Sequence, residues 1–402
     1  MTSFWKKILF TITALWFVAI SCNRPQREVR YFFLNDYHDV DNYQLISDTF
    51  GQQSDKDVMV GRAILIYLLE RPVDSLVESL NHHFEMAEKY DIPLLIEIDP
   101  ISFWKDVPWL WNWWNDTAPG YDPDNRDNVE WYGWGRENAV KIGWINWGVQ
   151  VRMLPMANLF SPAYQNEVRQ RTRTLLSETK KWYRSLPREK KYLLGGIKLT
   201  GEMGLGFNNW YYPDGNSYFD KPESEDPTTG VSIYDMPTRG VAQIGYAALT
   251  AAGVRSEGEV TPEDIYEIES RFCKFMADIA TGFKFPRELL FLHSCGTLGD
   301  KMACVQDGAC PSWTFYFDMG LHPEETNAME SLAKSDAPFW GMAEWNIGDQ
   351  KEDVWYETLS RCYSLPKLKF VTLFNAASIF SADGSVNEGA VAAIKRLGCC
   401  SN

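Results

Sequence analysis

The sequence predicts an α/β protein folded as a (β/α)8, or TIM, barrel with long loops after the third and fourth strands. Three observations carry this prediction. Short apolar runs alternate with amphipathic helical stretches from residue 29 onward, eight such runs can be counted, and 402 residues are enough to bury one large core. An open, doubly wound sheet is the alternative, but no glycine-rich phosphate loop follows the first run.

The eight predicted strands are short runs of apolar residues that are bounded by polar or turn-forming residues. In chain order they are VRYFFLND (29–36), RAILIYL (62–68), PLLIEID (93–99), YLLGGIKLTGE (192–202), LLFLHSC (289–295), WTFYFDMG (313–320), FWGMAEWN (339–346) and FVTLFNA (370–376).

Helices are predicted in the gaps between these runs. Ser161-Pro162 and Thr261-Pro262 each place an N-cap residue before proline at the first helical position, which is a typical start of a helix. Apolar residues recur at helical spacing after Thr261-Pro262 and between the second and third runs. Further helical stretches are predicted near 323–333, 353–363 and 387–397.

Two connections are longer than ordinary ones: residues 100–160 and residues 203–260. The segment from Trp104 to Trp147, in the first, holds nine of the 17 tryptophans, Trp113 and Trp114 among them. Because indole rings can stack on sugar rings, we expect part of this segment to line a substrate cleft. A loop that folds around its own aromatic side chains is the alternative.

Charge and composition limit the partners. The formal net charge is −15, which makes nucleic acid an unfavourable partner. Aromatic residues make up 14% of the chain, more than a core of this size needs, and sugar-binding clefts are one place for exposed rings. No cofactor is implied. A metal site is disfavoured because the five histidines are scattered and no Cys-x2-Cys pair is present.

The first 28 residues predict export and a lipid anchor. Residues 1–21 have two lysines, an apolar stretch and small residues, as in a signal peptide, and AISC resembles the lipobox of bacterial lipoproteins. The resemblance implies acylation of Cys22, a tether over 22–28 and a barrel over 29–402, held outside the cytoplasm on a membrane. An ordinary secretory signal or a single membrane anchor is the alternative.

Seven cysteines remain after Cys22. In an oxidising compartment, Cys304 and Cys310 could form a disulfide across the Asp-Gly turn of CVQDGAC.

Candidate site residues are those that close each apolar run, because the chemistry of a TIM barrel lies at the C-terminal ends of its strands. This set is rich in carboxylates and amides and poor in cations, which suits a neutral polyhydroxylated ligand such as an oligo- or polysaccharide. Its members are Asn35, Asp36, Asp99, Glu202, His293, Asp318, Glu344, Trp345 and Asn375.

Glu202, closing the fourth run, and Glu344, closing the seventh, resemble the acid/base and the nucleophile of glycoside hydrolase clan A, the retaining (β/α)8 glycosidases. The resemblance implies hydrolysis of a β-linked glycan with retention, for which one protonated and one ionised carboxyl are required. Gly201 stands where the clan usually has asparagine, and with Gly204 it would let substrate approach closely.

Structural roles are the alternatives for the same residues. Glu202 could stabilise the loop that follows it, and Glu344 could pair with a barrel lysine such as Lys198. Glu97 lies mid-strand, where a hydrogen-bonded role inside the barrel is expected, and His293 fits a satisfied pocket histidine. We favour catalysis because the two glutamates fall on strands four and seven of eight. A catalytically silent, glycan-binding barrel is the alternative from another class.

Overall fold

The computed structural model describes residues 29–36, 41–147, 149–202, 204–205, 209–219, 221–226, 230, 240–294, 308–348 and 351–398. The predicted signal peptide, Cys22 with its tether, and Cys304 lie outside the described residues. Cys310 is a buried, free thiol, so the pairing predicted for it is wrong. None of the described helices has the length and apolar character required to cross a membrane.

Eight parallel strands close into a barrel in sequential order, and the last strand pairs with the first. The predicted fold class is therefore confirmed. The strands of the chain are β1 (Arg30–Asn35), β2 (Val58–Tyr67), β3 (Leu94–Asp99), β4 (Gly143–Asn146), β5 (Gln150–Met153), β6 (Leu194–Lys198), β7 (Asn209–Trp210), β8 (Leu290–Ser294), β9 (Cys310–Tyr316), β10 (Trp340–Asn346) and β11 (Leu368–Phe374). The barrel uses all except β4, β5 and β7.

Helices occupy the connections between the barrel strands, and one more follows the last strand. They are α1 (Tyr43–Phe50), α2 (Val73–Tyr90), α3 (Pro108–Trp111), α4 (Pro162–Ser185), α5 (Tyr246–Ala251), α6 (Pro262–Thr281), α7 (Asp318–Leu321), α8 (Ala328–Lys334), α9 (Glu352–Ser364) and α10 (Glu388–Gly398).

The predicted helix starts are confirmed at α4 and α6. Ser161 Oγ accepts a hydrogen bond from Tyr164 N, and Thr261 forms a reciprocal capping box with Asp264. The helix predicted over 323–333 begins later, at Ala328, because Pro323–Glu325 forms a separate 3-10 turn.

The two long connections meet in one small sheet above the barrel. Strands β4 and β5, from the first connection, form an antiparallel hairpin, and β7, from the second, pairs with β4. The hairpin turn carries Trp147, whose backbone N–H donates to Val149 O over 3.1 Å. The sheet thus fixes part of both loops on the face where the barrel strands end.

The N-terminal half of the barrel interior is filled by aromatic rings. Phe33 and Phe370 meet edge to face with ring centroids 5.8 Å apart. Glycines on other barrel strands make room for them: a Cβ at Gly195, on β6, would lie 2.5 Å from Phe33 Cζ, and a Cβ at Gly341, on β10, would collide with the ring of Phe370. The polar part of the interior is therefore confined to the other end.

Two buried carboxyls hold the long connections against the helices. Glu130 accepts hydrogen bonds from Gly245 N, Ala247 N and Ala248 N at the start of α5. Glu269, on α6, accepts one from Leu205 N over 2.8 Å. Burial raises the pKa of each to about 8, although these hydrogen bonds act in the opposite direction.

Glu269→Gln is expected to remove part of the pH dependence of stability. A carboxyl whose pKa is higher in the folded state favours folding at low pH, and this contribution is lost as pH rises from about 4.5 to about 8. Urea unfolding should show the variant gaining about 1 to 3 kcal/mol over the wild type between pH 5 and pH 8.5.

The matched control is Glu267→Gln, which changes a half-exposed carboxylate on the same helix. Its stability difference from the wild type should not show the trend expected for Glu269→Gln. A Glu269→Gln difference that also lacks this trend would contradict the role given to burial. The stability of each protein still falls with rising pH, because Glu130 is present in all of them and acts with the same sign.

Candidate active site

A cavity of about 670 Å³ opens at the C-terminal ends of the barrel strands. Carboxylates, amides and hydroxyls dominate its polar lining, and Lys198 is the one cationic side chain among the described residues that line it. The polar lining side chains are those of Tyr67, Glu97, Asp99, Ser102, Lys198, Glu202, Tyr316, Glu344, Asn346, Asn375 and Ser378.

Glu344 enters this cavity because β10 is irregular at that point. The register of β10 against β9 shifts between Met342 and Glu344, which is a β-bulge. Gly341 faces the barrel interior, so strict alternation would turn Glu344 outward. The bulge instead directs Glu344 into the cavity and Trp345 into the layer between barrel and helices, where its indole N–H donates to Gly320 O.

Glu344 is held by a neighbour on β9. Tyr316 OH donates a hydrogen bond to Glu344 Oε2 over 2.5 Å. Burial raises the pKa of Glu344, while the charge of Lys198 and the Tyr316 hydrogen bond pull it down, and the net direction is upward. The carboxylate is thus oriented by one donor and stabilised by one cation in a poorly solvated site.

Lys198 lies at the floor of the cavity in a network of buried groups. Its ammonium pairs with Glu97 Oε2, and Asn35 Nδ2 donates to the other oxygen of Glu97 over 2.8 Å. Burial lowers the pKa of Lys198, but Glu97 and Glu344 outweigh it and raise the net value, so the side chain is a cation. Glu97 therefore has the hydrogen-bonded interior role expected from the sequence, and Lys198 pairs with it rather than with Glu344.

His293 continues the network away from the cavity. Burial and the charge of Lys198 hold its pKa well below the usual range, so the ring is neutral. Nδ1 lies 3.3 Å from Lys198 Nζ and can only accept, which leaves Nε2–H to donate to Thr314 Oγ1 over 2.9 Å. His293 supports Lys198 from below and does not line the cavity.

Glu202 lies four residues past the end of β6 and lines the cavity with Glu344. The residue before it must be glycine: a Cβ at Gly201 would lie 2.6 Å from Asp99 Oδ2. The sequence suggested that this glycine makes room for substrate, but the carboxylate of Asp99 occupies that space.

Asp99 is fixed by its own loop. Its carboxylate accepts hydrogen bonds from Ile101 N over 2.7 Å and from the backbone and hydroxyl of Ser102 over 3.1 and 2.6 Å. With these donors on one side and the cavity on the other, Asp99 presents a rigid acceptor next to Glu202.

Amides from the last two strands complete the lining. Asn346 Nδ2 donates to Phe374 O and to Ser378 Oγ, which ties β10 to the turn after β11. Asn375 Oδ1 accepts from Ala377 N over 3.0 Å, and the Phe374–Asn375 peptide bond is cis. Both amides line the cavity, and only Asn375 was predicted from the sequence.

Several predicted substrate-binding residues do not line the cavity. Asn35 is buried beneath it, against Glu97. Asp36 pairs with Arg62 over 3.8 Å, and Asp318 is exposed at the first position of α7. His293, below Lys198, and Trp345, on the outer side of β10, do not line the cavity either.

Trp113 and Trp114 are also placed away from the cavity. Trp113 is buried, its indole N–H donates to Val140 O, and the guanidinium of Arg126 lies 4.5 Å from its ring centre. Trp114 packs edge to face on Phe219. Neither ring lines the cavity, and both make the contacts within the long connections that the self-packing alternative expects. Trp147 is the tryptophan of the segment that does line the cavity.

A group that could hold a metal ion lies elsewhere. In the part of the chain that is described, His322, Glu324 and Glu325 are the three side chains whose ligand atoms come close enough together. All three are exposed and none lines the cavity.

Comparison with known proteins supports the fold. No protein-family model matches the sequence, and no curated protein matches it. The chain is similar to the catalytic domain of a β-amylase from Paenibacillus polymyxa, with a TM-score of 0.52 and 9% identity over 93% of this chain and 99% of that one. At this identity the likeness concerns the fold alone.

Two other solved structures are more distant. A ruminal GH26 endo-β-1,4-mannanase gives a TM-score of 0.47 at 8% identity, covering 94% of this chain and 66% of that one. A glycoside hydrolase family 5 enzyme from Prevotella bryantii B14 gives 0.43 at 8% identity, covering 93% and 96%.

Substitutions of Lys198 and Glu97, which pair at the cavity floor, should have non-additive effects on the free energy of unfolding. Lys198→Met leaves Glu97 buried without its cation and should cost about 3 to 5 kcal/mol of unfolding free energy. The double variant Glu97→Gln/Lys198→Met removes both charges and should be more stable than Lys198→Met alone. Urea unfolding of the four proteins at pH 7 measures the coupling. Costs that simply add in the double variant would contradict the pairing.

Proposed function

We propose that this chain is a retaining glycoside hydrolase that cleaves a β-linked glycan. The observation that carries the proposal is that Glu202 and Glu344, from the fourth and seventh barrel strands, line one cavity. The barrel fold and the strand-end position of the cavity support it. The resemblance of the two glutamates to clan A assigns their roles.

In the proposed mechanism Glu344 is the nucleophile. Its carboxylate attacks the anomeric carbon while the bond to the leaving oxygen breaks, which forms a covalent glycosyl-enzyme. Tyr316 fixes one carboxylate oxygen, and Lys198 opposes the effect of burial on the pKa of Glu344. Both effects favour the ionised form that attack requires.

Glu202 is the proposed acid/base. It gives its proton to the leaving oxygen in the first step and takes a proton from water in the second, when water attacks the anomeric carbon and releases the sugar. Asp99 fills the space at Gly201, so its carboxylate is the acceptor that we propose for a sugar hydroxyl beside Glu202.

The charge of the cavity supports an uncharged glycan as substrate. Among the described lining residues, four carboxyls face one ammonium, that of Lys198; they are Glu97, Asp99, Glu202 and Glu344. Uronate or sulfate groups would be repelled there, whereas sugar hydroxyls can donate to carboxylates and amides.

Azide rescue tests the two roles. Glu344→Ala should lower turnover about 10³-fold or more on every substrate, and azide should give the inverted α-glycosyl azide. Glu202→Ala should lower turnover of natural glycans about 10²- to 10⁴-fold but spare the first step on an activated aryl glycoside. Azide should then give the β-glycosyl azide.

Asp318→Ala is the matched control, since it removes an exposed carboxylate that follows a barrel strand outside the cavity. Near wild-type activity in both glutamate variants would exclude the assignment. A wild-type protein that binds glycans but hydrolyses none of a broad polysaccharide and aryl glycoside panel would establish the silent, glycan-binding alternative.

We also propose that the protein is a membrane-tethered lipoprotein outside the cytoplasm, acylated at Cys22. The wild type should partition into the detergent phase. Cys22→Ser should move it to the aqueous phase or leave an unprocessed, lipid-free precursor, whereas Cys399→Ser should behave as wild type. A Cys22→Ser protein that is processed and still partitions into detergent would rule out this anchor.

A further inference from the structure

Two large aromatic side chains at the cavity mouth remain exposed to solvent. Trp147 is 36% exposed and Phe317 is 68% exposed, and both line the cavity that holds Glu202 and Glu344. Exposed rings of this size beside a cavity are typical of ligand-binding surfaces. Neither ring has a part in the proposed bond cleavage.

Trp147 is the outer end of a row of aromatic side chains. Its ring meets Phe103 with centroids 5.9 Å apart, and Phe103 meets the ring of Tyr67 at 4.6 Å, both edge to face. Tyr67, at the end of β2, lines the cavity. The row therefore runs from the barrel to the hairpin turn, and packing against Phe103 supports the indole of Trp147.

Phe317 is held at the cavity in an unusual backbone conformation. Its φ of 51° and ψ of −118° match the first central position of a type II′ turn, a conformation that phenylalanine rarely adopts. Hydrogen bonds from Phe317 N to Asn346 O and from Leu321 N to Phe317 O maintain it. Phe317 directly follows Tyr316, which bonds Glu344, so the conformation holds an exposed ring next to the proposed nucleophile.

We propose that Trp147 and Phe317 form the walls of a binding subsite for a further, uncharged pyranose unit of the glycan. The apolar faces of such a unit suit two aromatic surfaces, and the acidic cavity favours an uncharged sugar. The ligand class rests on the proposed function. The consequence is that the protein binds oligosaccharides more tightly than single sugars.

Binding can be tested without hydrolysis in the Glu344→Gln background. Calorimetric titration with cello-, manno- and β-1,3-gluco-oligosaccharides of one to six units should show affinity rising with length for at least one series. Adding Trp147→Ala should remove the gain from one added unit, a loss of about tenfold or more, and Trp147→Phe should retain most of it.

Phe317→Asn tests the other wall of the subsite, and its effect on stability is expected to be small. The backbone of Phe317, with φ 51° and ψ −118°, has the angles of the first central position of a type II′ turn, which asparagine accepts more readily than phenylalanine does. The ring is therefore lost without new strain, and the melting temperature should not fall. Affinity for the longer oligosaccharides should fall about tenfold. The control is Trp109→Ala, which removes a tryptophan that is 50% exposed and does not line the cavity.

Length dependence that is the same in Trp147→Ala, Phe317→Asn and Trp109→Ala would overturn the subsite, as would a Glu344→Gln protein that binds no oligosaccharide of any series. Failure of the proposed function looks different. A Glu344→Ala protein that still hydrolyses glycans, with the effects of Trp147 and Phe317 on affinity intact, would remove the nucleophile assignment and leave the subsite standing.

Discussion

The buried ion pair between Lys198 and Glu97 is the interaction on which the polar end of the barrel depends. A lone ammonium at that depth would lose its proton or draw water into the core. With Glu97 beside it and Asn35 fixing the second carboxylate oxygen, the cation persists. The pair and its partners join β1, β3, β6 and β8 at the ends where the cavity begins.

This cation influences the protonation of its neighbours. Burial lowers the pKa of His293 and the charge of Lys198 lowers it further, so the ring is neutral. The same charge lowers the pKa of Glu344, although burial keeps the net shift upward. Glu344 in turn is oriented by Tyr316 from the adjacent strand. The proposed nucleophile is thus controlled by residues of the fourth and sixth barrel strands, neither of which carries it.

The fold could be predicted from the sequence because eight buried, parallel strands appear as eight apolar runs with helices between them. Glu202 and Glu344 could be predicted as cavity residues because barrel sites lie at strand ends. That Glu344 faces the cavity while Trp345 faces the helices could not be predicted, since a β-bulge after Met342 changes which side chain faces inward.

Other misses have similar causes. Side chains two positions apart on a strand face the same side. Asn346, two positions after Glu344 on β10, and Tyr316, two positions after Thr314 on β9, could therefore have been predicted to face the barrel interior. Trp113 and Trp114 gave no such signal, because composition does not reveal which rings of an aromatic loop face each other. Lys198 was considered only as a partner of Glu344, although the pairing of β3 with β6 places it opposite Glu97.

The small sheet formed by β4, β5 and β7 has a consequence for how such a protein can diverge. Its strands come from two connections that are far apart in sequence, and each satisfies backbone groups of the other. Shortening or exchanging one connection alone would expose an unpaired strand edge beside the cavity. The two long connections are therefore expected to change together. A chimaera that exchanges only one of them would have an incomplete sheet rather than a new specificity.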